Sequence, residues 1–139
     1  MRITLESDYA LRILTAIAGH DGVVDAGTVS AETSVSAKFA LKILRKLVQG
    51  GLVRSYKGVK GGYKLDASPE DITLRRVIEL IDGPIVIARC LENTEECSIG
   101  CDKTACAYHH IFESISLDLA KRLERITISD VINKSYSIE

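Results

Sequence analysis

Four cysteines, Cys90, Cys97, Cys101 and Cys106, have the clearest capacity for chemistry, and all of them fall in one short stretch of a 139-residue chain. Core packing does not gather thiols this way. In a reducing compartment, grouped cysteines more often ligate a metal or carry redox chemistry than form stable disulfides. The pattern Cys90-x6-Cys97-x3-Cys101-x4-Cys106 departs from the paired C-x2-C arrangement of zinc ribbons. An iron-sulfur cluster accepts thiolates at more irregular spacing. Cys106 stands just ahead of a long helical pattern, where the positive end of a helix dipole favours a thiolate. One turn later comes His109, on nearly the same face and a candidate further ligand; a surface histidine is the plainer reading of it. His110 faces elsewhere.

The rest of the chain offers no catalytic acid-base pair, phosphate loop or substrate pocket, so an enzyme or electron carrier is the weakest class. A second chemistry is present instead. Between Thr33 and Leu65 stand Lys38, Lys42, Arg45, Lys46, Arg54, Lys57, Lys60 and Lys64, with no acidic residue among them. That leaves ten of the 18 basic residues to balance all 19 acidic ones elsewhere, although the whole chain carries a formal charge of only -1. Such local asymmetry points to a polyanion-binding surface.

Those cations need elements to aim them. Leu11, Leu14 and Ala18, with Ile13 and Ile17 beside them, predict an amphipathic helix from about Ser7 to Gly19. Val23 and Val24 suit a short edge strand, and a second helix is expected over Ala26 to Thr33. Ser34-Val35-Ser36 makes a turn, and Ser36 caps a third helix reaching Gln49, closed by Gly50-Gly51. At ~100° per residue, Lys38, Lys42, Arg45 and Lys46 share an arc from about 340° to 80°, while Phe39, Ala40, Leu41, Ile43, Leu44, Leu47 and Val48 fill about 100° to 300°. Leu52 to Tyr56 and Gly62 to Leu65 read as strands of a hairpin joined by Lys57-Gly58-Val59-Lys60-Gly61. A helix with one basic arc followed by a basic hairpin suits DNA: the helix enters the major groove and wing lysines reach phosphates.

Thr73 caps a fourth helix whose Leu74, Val77, Ile78 and Ile81 share a face, and Gly83-Pro84 stops it. Ala88 to Ala105 has little periodicity and reads as a loop. Beyond it Phe112, Ile115, Leu119, Leu123 and Ile126 form an apolar seam on a helix of nearly 20 residues. A symmetric copy of the chain is the simplest partner for that seam; packing back on its own domain is the alternative. The 46% apolar content suffices for a core, no run approaches the ~20 apolar residues of a membrane span, and the first residues lack a signal-peptide stretch. The expected location is the cytoplasm.

Several of these stretches together resemble the bacterial iron-sulfur cluster regulators and nitric-oxide-sensing repressors of the IscR/NsrR type. The residues that carry the resemblance are Ser7-Asp8-Tyr9-Ala10-Leu11, Lys57-Gly58-x-x-Gly61-Gly62-Tyr63-x-Leu65, Asp82-Gly83-Pro84 and Cys106-x2-His109-x2-Phe112. The resemblance spans nearly the whole chain. It implies a mainly α fold with a small β-hairpin wing, a [2Fe-2S] or [4Fe-4S] cluster held by three loop cysteines, and a varying fourth ligand. Histidine in the place of His109, or an aspartate of the partner's first helix in the place of Asp8, fills that role in the family. This chain departs from the pattern: the middle cysteine is split between Cys97 and Cys101, which ranks a four-cysteine site first, and Lys57 stands where the family usually has Arg.

The expected organisation is a winged helix-turn-helix domain over 1–84, a cysteine-rich cluster loop over 85–107, and a dimerisation helix with a C-terminal segment over 108–139. Metal ligands are sought among Cys90, Cys97, Cys101, Cys106, His109 and Asp8. DNA contacts are expected from Ser36, Lys38, Lys42, Arg45, Lys46, Lys57, Lys60 and Tyr63. The function these point to is a homodimeric regulator, binding a palindromic double-stranded DNA operator with an affinity set by its cluster. The alternative is a winged-helix regulator using its cysteines as a thiol switch or zinc site.

Overall fold

A computed structural model describes residues 1–92, 97, 100 and 102–137. Helix α1 spans Leu5–Ala18 and starts where Thr4 Oγ1 accepts the Ser7 amide at 3.2 Å. Its Ala10, Ile13, Leu14 and Ile17 are buried and form the centre of the core. Asp25 caps α2 (Ala26–Thr33), and Ser36 caps α3 (Ala37–Gln49). Between them Ser34 adopts the left-handed conformation at φ 56°, and Ser30 Oγ donates to the Val35 carbonyl at 2.6 Å. With Val35 buried, this turn fixes α3 against α1 and α2. Helix-turn-helix spacing therefore appears as expected.

Strands β1 (Val53–Tyr56) and β2 (Gly62–Leu65) pair antiparallel, with Val53 opposite Leu65 and Tyr56 opposite Gly62. The expected edge strand at Val23 and Val24 is reduced to a single bridge, in which Val24 and Tyr63 exchange backbone hydrogen bonds of 2.8 and 2.9 Å. Asp21 and Gly22 leave too little extended chain ahead of Asp25, which must already cap α2. Helix α4 (Leu74–Asp82) buries Val77 and Ile78. It packs on both α1 and the long helix α5 (Ala107–Glu124).

The seam expected on α5 divides. Ser116 and Ala120 are buried and Phe112, Leu119 and Leu123 half-buried; Leu119 and Leu123 pack with Ile78, Ile85 and Ala120 of the same chain. Ile115 is exposed, and Ile126 lies beyond the helix end. The reason is geometric: Phe112, Ser116, Leu119, Ala120 and Leu123 follow one row, and Ile115 lies to one side of it. Exposed Tyr108, Ile111 and Ile115 make a separate apolar stripe at i, i+3 and i+7.

A further helix, α6 (Ile128–Asn133), was not expected from periodicity. Thr127 and Asp130 form a reciprocal capping box at its start. Just before it, Thr127 pairs with Thr73 across an isolated antiparallel bridge: the Leu74 amide reaches the Ile126 carbonyl and the Ile128 amide the Ile72 carbonyl, both at 2.9 Å. This returns the chain to α1, against which α6 packs. Among the described residues, no helix is long and apolar enough to cross a membrane.

Candidate nucleic-acid interface and cysteine site

The basic arc of α3 faces outward. Lys38, Lys42 and Arg45 are exposed and Lys46 is half-buried, while Ala40, Ile43, Leu44 and Leu47 line the core. Ser36 Oγ accepts the Phe39 amide at 3.4 Å, placing the helix start. Two members of the apolar arc are not inside: Phe39 and Leu41 are exposed and flank the cations on either side. An arc of about 200° is wider than the stripe one helix face needs against a core, so its edges emerge. The Phe39 ring meets Tyr9 of α1 edge-on, with centroids 6.3 Å apart.

The wing stands on a close backbone approach. A Cβ on Gly62 would lie 2.3 Å from the Val24 carbonyl oxygen, and one on Gly61 would lie 2.3 Å from the Tyr56 carbonyl oxygen. Only glycine leaves room for β2 to reach Val24 and for the turn to close. Lys57 and Lys60 are exposed in that turn, and Val59 projects fully at its tip. Tyr63 is half-buried, its ring against the core and its backbone bridged to Val24, so it anchors the wing.

One residue bearing on this surface lies outside the basic segment. Glu6, in the first turn of α1, accepts from Lys42 Nζ through Oε1 and from Lys46 Nζ through Oε2, the latter at 2.5 Å. These two hydrogen bonds, Lys42 first, hold its carboxyl below the usual glutamate range. No local signal marks this pairing, because the partners are 36 and 40 positions away.

Cys90 sits in a single 3-10 turn, Arg89–Leu91, that packs against α5; Cys106 stands at the N-cap of α5 and its side chain makes no capping bond. Cys90, Cys97 and Cys106 are all half-buried, and Cys101 lies outside the described residues. Entering this segment, the Ile87 amide donates to Ser116 Oγ at 3.1 Å, and Ser116 Oγ donates to the Phe112 carbonyl at 2.7 Å.

His109 Nδ1 is buried and, among the described residues, has no hydrogen-bond partner. His110, which the sequence does not favour as a ligand, serves the fold instead. Its Nε2 donates to the Thr104 carbonyl at 2.7 Å, tying α5 to the 3-10 turn Lys103–Ala105. Asp8 is paired with Arg12 at 2.6 Å and lines a groove between α1, α2 and α6. No three potential metal ligands come together among the described residues. The donor set still suits a thiolate-bound cluster: half-buried thiols at the N-cap of α5 and in the turn that packs against it, and, among the described residues, an unsatisfied buried imidazole nitrogen one turn into that helix.

Comparison with known proteins places this geometry. The HTH-type transcriptional regulator IscR of Yersinia pseudotuberculosis is 28% identical over 100% of this chain and 84% of its own length. The solved structure of CymR, the global cysteine regulator of B. subtilis, superposes with a TM-score of 0.77 at 24% identity, covering 96% of this chain and 98% of that one. That of T. potens IscR does so with a TM-score of 0.74 at 20% identity, covering 98% and 89%. These relatives are regulators rather than enzymes, and the expected mainly helical fold with a two-stranded wing is the one they share. The profile of the Rrf2 family, described as an iron-dependent transcriptional regulator, matches residues 3–134. The chain therefore belongs to the Rrf2 family of winged-helix regulators and is a DNA-binding transcription regulator.

Proposed function

We propose that the protein is a cytoplasmic, homodimeric regulator whose operator affinity is set by an iron-sulfur cluster on its cysteine segment. The observation that carries this reading is the Nδ1 of His109, buried one turn into α5 from Cys106 and, among the described residues, without a partner. A buried imidazole nitrogen without a partner is costly unless something binds it. Cys90, Cys97, Cys101 and Cys106 are the thiolates that would hold the cluster, with His109, or Asp8 of a partner subunit, as the variable ligand. When bound, the cluster supplies a redox- and nitric-oxide-sensitive centre.

The protein's own residues do the rest. Lys38, Lys42, Arg45 and Lys46 of α3 face the major groove, Ser36 sets the helix start beside the backbone, and Lys57 and Lys60 of the wing meet phosphates while Tyr63 seats the wing. The exposed stripe Tyr108, Ile111 and Ile115 faces its copy, so that two α3 helices meet half-sites of a palindrome about one helical turn apart. Cys106 joins the cysteine segment to that helix, which couples ligand state to the separation of the two readers.

Anaerobic purification followed by visible and EPR spectra tests the cluster. Iron-dependent absorption that bleaches in alanine variants of true ligands is the expected result. DNA titrations before and after exposure to nitric oxide and air should then differ. A colourless, iron-free protein whose DNA binding follows thiol oxidation overturns the cluster in favour of a thiol switch, and bound zinc does so in favour of a structural metal site. Equal operator binding by apo and holo protein removes the sensing role.

A further inference from the structure

Helix α3 carries four cations, and two of them are already engaged within the chain. Glu6 holds Lys42 through Oε1 and Lys46 through Oε2, whereas Lys38 and Arg45 stand exposed on the same arc. The carboxylate is the most covered member of the trio: the Glu6 side chain is 27% exposed, against 54% for Lys42 and 36% for Lys46. The turn that carries Glu6 is itself held in place. The first turn of α1 is fixed by Thr4, which accepts the Ser7 amide and whose own amide and hydroxyl both donate to the Asp82 carboxylate at the end of α4.

A lysine ammonium has three N–H donors, and here one of them is spent on Glu6 in each lysine. What approaches the other donors meets a fixed negative charge next to them. A phosphate carries a full charge and is repelled by it, while the O6 and N7 acceptors of a guanine edge are neutral. We propose that Glu6 is a specificity-determining residue of DNA reading. It keeps backbone phosphates off Lys42 and Lys46 and reserves those two side chains for base edges. The inference rests on the reading that α3 faces DNA, so the test must separate the two.

The probe is a random-sequence duplex of about two helical turns, compared with duplexes that the wild-type protein selects from a random pool. Binding is measured across a salt series, well below the unfolding transition of each variant. Freed of the carboxylate, Lys42 and Lys46 become available to phosphates. Glu6→Gln should therefore bind the random duplex on the order of tenfold more tightly near 0.1 M salt, with a log-log salt slope steeper by about 0.9 for each freed lysine that meets a phosphate, up to about 3.6 for the four lysines of a dimer. Affinity for selected duplexes should change less, so the specificity ratio falls. Glu6→Ala, which leaves no polar group behind, should do the same. Lys38→Ala, whose side chain has no tie to Glu6, should weaken binding to both duplexes. If Lys38→Ala binds like wild type, the placement of α3 on DNA is wrong. If Lys38→Ala weakens binding while both Glu6 variants leave the random duplex unchanged, or weaken it, Glu6 does not exclude phosphates and the proposal falls.

Discussion

Gly62 in the wing and Val24 ahead of α2 meet backbone to backbone, so closely that a methyl group on Gly62 would sit 2.3 Å from the Val24 carbonyl oxygen. The neighbour is main chain and cannot turn aside. Gly62→Ala must push β2 away and weaken the two hydrogen bonds between Val24 and Tyr63. A destabilisation of roughly 1–3 kcal/mol is expected, read from urea unfolding. Wing amides should exchange faster in the same variant, and an unchanged midpoint would show that the wing stands without this contact.

Ser116 fastens the start of the cysteine segment to α5, accepting the Ile87 amide while donating to the Phe112 carbonyl. Replacing it with alanine leaves a part-buried N–H with no partner, at a cost of about 1–3 kcal/mol. The expected signature is local: the Ile87 amide loses protection from hydrogen exchange, while amides of α1 and α3 keep theirs.

The reader was legible in the sequence because its signals are local and periodic. Ser36, the basic arc and Gly61 each act within a few residues of where they stand, and helix α3 begins and ends as expected, although the approach of Gly62 to Val24 is long-range. What escaped depends on pairs far apart along the chain. Glu6 finds Lys42 and Lys46 only after α1 and α3 pack, and Thr127 finds Thr73 only after α4 and α5 fold back together. The α5 seam was half legible: two neighbouring apolar rows on one helix look like a single stripe until α4 claims one of them. In the cysteine site the residue types were plain, but the choice of ligands among them follows from three-dimensional placement, which spacing alone does not encode.

One apolar row on α5 is left unclaimed by its own chain. Tyr108, Ile111 and Ile115 are 72%, 51% and 47% exposed, and they are the surface through which two copies are proposed to meet. Ile115→Asp places a charge in the stripe without disturbing Leu119 or Leu123. Sedimentation should report a folded monomer, with DNA affinity reduced as the second reader is lost. A dimer that survives this change does not use the stripe.

Acid should reveal the tie between α1 and α3. The hydrogen bonds from Lys42 and Lys46 hold the Glu6 carboxyl below its ordinary range, so the folded state favours the ionised form more than the unfolded chain does. Its stabilising contribution is complete above the unfolded value of about 4.3 and disappears as the pH falls through the lower, folded-state value. Wild type should thus be slightly more stable than Glu6→Gln at pH 7, with the difference fading below about pH 4. Equal acid profiles for the two proteins would mean the pairing contributes nothing in solution.

The bridge between Thr73 and Thr127 closes α4, the cysteine segment and α5 into a ring, with both of its ends stitched beneath α1. On that ring α5 packs against α4, and α6, beyond the stitch, packs against α1. A displacement of the long helix would be felt by α4 and, through it, by α1, the helix against which α3 packs.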